Sequence, residues 1–145
     1  MKECVECKQF KPLTEYTSRG GGKKRSQCKK CYNSNWKYRI MSSLTSREAH
    51  RVRENGTVKK NIYRDNGING EFLEFLKENQ NGVCYWLKIP IDFTMKDKLR
   101  KPSLDRLDNT KGYEIGNVVL TTVFANLGRR DATTNEMSDF IKNYL

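Results

Sequence analysis

The chain has a single histidine, His50, so proton transfer near neutral pH has to lean on other side chains. Apolar stretches are equally scarce. No run approaches the roughly 18–20 residues of a membrane span. The opening Met-Lys-Glu-Cys has none of the apolar character of an export signal. The expectation is therefore a protein that stays in the cytoplasm and has no membrane partner. There is no visible internal repeat and no low-complexity tract. Apolar residues are 36% and charged residues 31% of 145. That composition permits one modest core: a single domain, or a small domain with a metal-stapled appendage.

Acids are outnumbered, 17 to 28 Lys/Arg, for a net charge of +11. The imbalance is confined to the first half. Residues 1–64 carry 17 Lys/Arg against 5 Asp/Glu, whereas residues 65–145 carry 11 against 12. A basic half beside a near-neutral half reads as a polyanion-gripping part joined to a part with another task. Lys and Arg that neutralise phosphates release counterions, so such binding would depend strongly on salt. A merely solvated charged face is the alternative.

Five cysteines cannot all pair. Four of them, Cys4, Cys7, Cys28 and Cys31, form C-x2-C-x20-C-x2-C, a spacing at the edge of the zinc-ribbon range with two thiolates from each knuckle. Without an export signal, two disulfides are the weaker reading. Lys8, Lys24, Arg25, Lys29 and Lys30 lie close by in sequence, favouring thiolates and a DNA-facing surface. The fifth, Cys84, reads as a buried residue rather than a ligand.

Residues 1–31 thus form a zinc module, with Gly20-Gly21-Gly22 at its loop tip. Residues 32–66 form a basic helical region. It opens with a helix over 32–44, whose Trp36, Ile40 and Leu44 make a core stripe. A second basic piece over 45–55 carries Arg47, His50, Arg51 and Arg53. Residues 67–145 form the remaining unit, beginning with an amphipathic helix over 71–80 and a short hairpin or strand pair over 83–93 around Ile89-Pro90. It closes with a helix over 134–145 that turns Met137, Phe140 and Ile141 inward. The DNA-contact candidates are Lys23, Lys24, Arg25, Lys29, Lys30, Arg47, Arg51, Arg129 and Arg130.

Residues 103–130 are the most telling. Ser103–Leu107 reads as a strand, Asp108–Gly116 as a turn-rich loop, and Asn117–Thr121 as a β-branched strand followed by a helix with Val123 and Leu127 at helical spacing. A hairpin laid on a helix can bring Asp105 and Asn126 to one point. A carboxylate plus an amide oxygen is a hard-oxygen pair suited to Mg²⁺ rather than zinc.

Asp-Arg-Leu-Asp-Asn, then Lys-Gly-Tyr, Asn117 and Asn126 resemble the HNH (ββα-metal) nucleases, in particular their phage and restriction branch with a D-R-[IL]-D-N motif. The resemblance implies an α+β fold: a ββα-metal core with flanking helices, preceded here by the zinc ribbon. It implies Asp105 and Asn126 as Mg²⁺ ligands (Mn²⁺ able to substitute) and Asn117 as a brace for the loop. The implied activity is hydrolysis of double-stranded DNA to 5′-phosphate and 3′-hydroxyl ends, in a bacterial or phage-infected cell, for restriction, mobility or phage processing. Many relatives place a histidine base after the aspartate, and this chain has Arg106. Arginine does not lose its proton near neutrality, so Arg106 is cast as a phosphate clamp. The candidates for base or nucleophile are Tyr85, Tyr113, His50 and a water. A tyrosine implicated in part of that branch would fall at Leu76 here. A non-catalytic zinc-ribbon DNA-binding protein on the same scaffold is the second reading.

Overall fold

The computed structural model describes residues 1–44 and 67–145. Arg47, His50, Arg51, Arg53 and the helix expected over 45–55 lie outside the described residues. The fold is α+β, built from short antiparallel hairpins and helices, with a cysteine cluster at its N-terminal end.

In the first module β1 (Lys2–Glu3) pairs with β2 (Phe10–Lys11), and β3 (Ser18–Arg19) pairs with β4 (Lys23–Lys24). Helix α1 (Lys29–Ser34) follows. The module's buried centre is no more than Cys4, Tyr16 and Cys28, with Cys7 and Cys31 against it. The glycines at the tip, Gly20 to Gly22, all have positive φ, and the space beside them is open.

The helix expected over 32–44 is two. Asn35 takes an extended conformation (φ −92, ψ 100) that ends α1. Its side-chain oxygen then accepts the Tyr38 N–H, as an N-cap does. Residues 36–44 form α2. Its Trp36, Ile40 and Leu44 stripe is buried, as the spacing implied. Trp36 meets Phe93 edge-on at 4.8 Å, and Lys37 bridges to Glu74 at 2.9 Å. Helix α3 (Gly70–Asn79) starts at Asn69, which caps the Phe72 N–H, and buries Leu73 and Leu76.

The central element is a hairpin of β5 (Pro102–Arg106) and β6 (Val118–Thr122), with Asp105 opposite Val119. Every residue of β6 is buried. Gln80 acts as a surrogate strand: its amide nitrogen donates to the Leu120 carbonyl and its oxygen accepts the Leu120 N–H, both at 2.8 Å. Helix α4 (Val123–Arg129) grows directly from β6, capped by the Thr122 hydroxyl. Helix α5 (Thr134–Tyr144) follows, with a capping box between Thr133 and Glu136.

In α4 the buried residues are Ala125 and Arg129, while Leu127 is exposed. Helical spacing misjudges α5, where Met137 is buried but Phe140 points outward, beside the tilted ring of Tyr144 at 5.3 Å.

Residues 83–93 form the short antiparallel pair expected around Ile89-Pro90, turned through a tight knuckle and bridged at Val83 to Pro90. This knuckle repeats the one around Cys4. Cys4 donates its N–H to the Gln9 carbonyl, and Lys8 (φ 57) donates back to the Cys4 carbonyl. Cys84 donates to Ile89, and Lys88 (φ 56) donates back to Cys84. A backbone motif therefore recurs where the sequence had given no sign of repetition.

Candidate functional site: a four-thiol centre and a hairpin–helix cleft

The sulfurs of Cys4, Cys7, Cys28 and Cys31 all lie within 4.8 Å of one another. Tetrahedral Zn–S bonds of ~2.3 Å place sulfurs ~3.8 Å apart, so the set fits one zinc ion without rearranging its elements. All four are free thiols in the structure, with Cys4 and Cys28 buried. Burial pushes Cys4 up, but the N–H groups of Cys28, Cys7 and Glu6 outweigh it and pull the thiol down to about 6. Burial and the neighbouring sulfurs hold Cys31 up at about 12. Lys11 Nζ lies 3.3 Å from Cys28 Sγ and offsets the charge a thiolate set would accumulate.

The second site is the face of β5 against α4. Ser103 and Asp105 share one face of the strand because side chains alternate. Asn126 and Arg129, one turn apart on α4, sit over them. Asn126 Nδ2 donates to Ser103 Oγ at 2.7 Å and to the Leu104 carbonyl at 3.4 Å. Arg129 Nη1 binds Asp105 Oδ2 at 2.9 Å in a pair almost wholly removed from solvent. Trp86 Nε1 donates to the same oxygen at 2.9 Å, and the Arg129 guanidinium lies 4.8 Å from the Trp86 ring. Arg129 also donates to the carbonyls of Arg106 and Leu107. Asp105 Oδ1 and Asn126 Oδ1 accept no hydrogen bond among the described residues. Those two oxygens are the hard-donor pair a Mg²⁺ ion would take, so the donor chemistry fits.

The structure corrects the expectation that Arg129 contacts DNA. Arg129 is 2% exposed, so it presents nothing to a phosphate and instead serves as the counter-ion of Asp105. Arg130 is exposed at the end of α4.

Asn117 braces the loop between the strands. Its Nδ2 donates to the carbonyls of Asp108 and Gly112, and its Oδ1 accepts the Asp108 N–H at 2.9 Å. Arg106 Nη1 donates to the Asn109 and Lys111 carbonyls, and the guanidinium sits 5.2 Å over the Tyr113 ring. Asp108 does not pair with it; its carboxylate holds Thr110. Nη2 and Nε of Arg106 stay uncommitted among the described residues. Tyr113 is buried. Tyr85 is half-buried, edge-on to Trp86 at 4.9 Å, with Lys88 Nζ 4.7 Å from its ring. Leu76 is part of the core.

The basic candidates of the first module divide into two kinds. Lys24 Nζ is tied to the Tyr16 carbonyl and Ser18, and Arg25 lies over the Tyr32 ring at 4.4 Å. Lys23, Lys29 and Lys30 are exposed.

Two cations that sequence reasoning left out stand beside Asn126. A cavity of about 250 Å³ is lined by Arg39, Ser43, Lys101, Ser103, Asn126 and apolar neighbours. No acid lines it, and neither Arg39 nor Lys101 makes a side-chain hydrogen bond or ion pair among the described residues. Two positive charges in one concavity, unpaired among the described residues, suit an anion. The only sequence signal was a cation off the α2 stripe and another in a basic loop.

No protein-family model matches the chain, and no curated protein matches it. One solved structure, described as the rare-cutting HNH restriction endonuclease PacI, is similar over 98% of this chain and 92% of its own, at 14% identity and a TM-score of 0.42.

Proposed function

We propose that the chain is a metal-dependent DNA endonuclease of the HNH type, with the thiol module and basic surface gripping the duplex and the β5–β6–α4 element cutting it. The observation that carries this reading is that Asp105 Oδ1 and Asn126 Oδ1 accept no hydrogen bond among the described residues, with Asn126 lining a cavity that also holds Arg39 and Lys101. Asp105 and Asn126 would hold Mg²⁺, or Mn²⁺ in its place. When bound, the ion supplies Lewis acidity and offsets charge on the leaving 3′ oxygen. Arg39 and Lys101 bind backbone phosphate in the cavity, and the free donors of Arg106 offset charge that develops on the phosphoryl group. Arg129 and Trp86 fix the Asp105 carboxylate so that Oδ1 keeps one direction. Tyr85, next to Trp86, is the side chain we assign to activate or deliver the nucleophile. Zn²⁺ on the four thiols is structural. Products carry 5′-phosphate and 3′-hydroxyl ends, and the setting is the cytoplasm of a bacterial or phage-infected cell.

The test is cleavage of supercoiled plasmid with Mg²⁺ and with chelator. Asp105→Asn is the informative variant: it keeps an oxygen for Trp86 and Arg129 while weakening a Mg²⁺ ligand, and should slow cleavage at least ~10²-fold with DNA binding retained. Asn126→Ala should do nearly the same, and Tyr85→Phe should match them.

One observation favours the second reading, a non-catalytic zinc-ribbon DNA-binding protein. Asp105 Oδ2 is already occupied by Arg129 and Trp86, as in a purely structural ion pair. Plasmid bound tightly but left intact with Mg²⁺ and Mn²⁺ would decide for it.

A further inference from the structure

We infer that residues 83–129 are a metal-free counterpart of the thiol module, built on the same knuckle–hairpin–helix frame, with Cys84, Leu87, Thr122 and Ala125 standing where Cys4, Cys7, Cys28 and Cys31 stand. The correspondence rests on backbone geometry at five points. Each knuckle cysteine donates to the carbonyl five residues on, at 3.0 Å for Cys4 and 2.8 Å for Cys84. Each accepts from a lysine four residues on, at 2.9 Å in both cases. That lysine has φ 57 in one and 56 in the other. The residue before each cysteine pairs antiparallel with the sixth residue after it, Glu3 with Phe10 and Val83 with Pro90. Finally, the N-cap of the closing helix points its N–H at the knuckle sulfur: Cys28 to Cys4 Sγ at 3.3 Å, and Thr122 to Cys84 Sγ at 3.4 Å.

A hairpin lies between knuckle and helix in both units, β3–β4 in the first and β5–β6 in the second. With the frames superposed in this way, the other two positions follow by counting. The second knuckle thiol, three residues after Cys4, falls at Leu87. The helix thiol, three after the N-cap, falls at Ala125. Leu87 and Ala125 line one common groove, as two ligands facing one ion would. Neither offers a donor atom, and the Thr122 hydroxyl is turned to its own cap and to Cys84. The second frame therefore binds its helix to its knuckle by apolar packing and the N–H and hydroxyl of Thr122 on Cys84 Sγ, where the first has four thiols. The helix so held is α4, which carries Asn126 and Arg129.

The assignment predicts a latent tetrahedral site. The variant Leu87→Cys/Thr122→Cys/Ala125→Cys, made in the full chain with Cys84 retained, should bind two zinc ions per chain. Its Co²⁺-substituted form should show about twice the thiolate-to-cobalt absorption of the wild type. Adding Cys84→Ser should lower that second increment while leaving the first. A folded triple variant that still binds one zinc overturns the correspondence. If the triple variant does not fold in zinc, Leu87→Cys/Ala125→Cys leaves the Thr122 cap intact and still offers three thiols. Uptake of a second Co²⁺ by that variant supports the inference, and its absence overturns it. The readout is a metal count, independent of whether the protein cuts DNA.

Discussion

Replacing Arg129 with methionine is the sharpest perturbation the structure offers. The side chain is fully buried and its partner Asp105 nearly so, so the usual discount for solvent screening does not apply. Methionine fills the space of the aliphatic stem but removes the charge. Asp105 is left with the Trp86 N–H alone on Oδ2. The Leu107 carbonyl keeps the Thr134 hydroxyl at 3.1 Å, while the Arg106 carbonyl loses its Arg129 donor and the carboxylate loses its counter-ion. Stranding one half of a buried pair costs about 3–5 kcal/mol, a large part of the ~5–15 kcal/mol that holds a domain folded. With a urea dependence of ~2 kcal/mol/M, the midpoint should fall by about 1.5–2.5 M in zinc-loaded protein. Asp105→Asn/Arg129→Met removes both charges and should recover part of that loss, the coupling being of order 1 kcal/mol or more. A midpoint drop under ~0.5 M for Arg129→Met, the scale of an exposed pair, would refute the role given to Arg129.

Stripping the metal from the thiol module should unfold residues 1–34 while the rest persists, since the module's own core is so small; Trp36 and Trp86 both belong to the other core, so their fluorescence should stay nearly constant while hydrogen exchange in the module rises. Asn117→Ala leaves the Asp108 N–H and the Gly112 carbonyl without their partner and should lower stability by about 1–3 kcal/mol in thermal denaturation. Replacing Lys23, Lys29 and Lys30 with glutamine should flatten the salt dependence of DNA binding by up to ~3 in log–log slope without altering zinc content; an unchanged slope would move the phosphate-gripping surface to the Arg39–Lys101 side.

What could be read beforehand follows from where the information resides. Spacing alone disclosed the four-thiol cluster, because two C-x2-C pairs state their geometry in sequence. The Trp36, Ile40 and Leu44 stripe was legible because its apolar periodicity and its burial coincide. The β5–β6–α4 order was legible to within a residue at each end. Arg129 was not: a dibasic helix terminus looks solvated, and nothing in a local window shows that Asp105, 24 residues back, needs a counter-ion. Phe140 failed in the opposite sense, being apolar at helical spacing yet outward-facing. The second knuckle was invisible because its repetition is written in main-chain hydrogen bonds, with only Cys84 and Lys88 echoing Cys4 and Lys8. Arg39 and Lys101 lie 62 residues apart, and only the packing of α2 brings them to one cavity.

Helix α4 is a beam of two turns pinned at both ends. Its first peptide is moored to Cys84 and its last side chain to Asp105, with Asn126 between the moorings. A beam so fixed transmits little of what happens beyond it. Changes to the exposed face of α5, at Phe140, Tyr144 or Leu145, should leave Asn126 where it is. That outer face can then drift, or acquire new surface, without retuning the cleft.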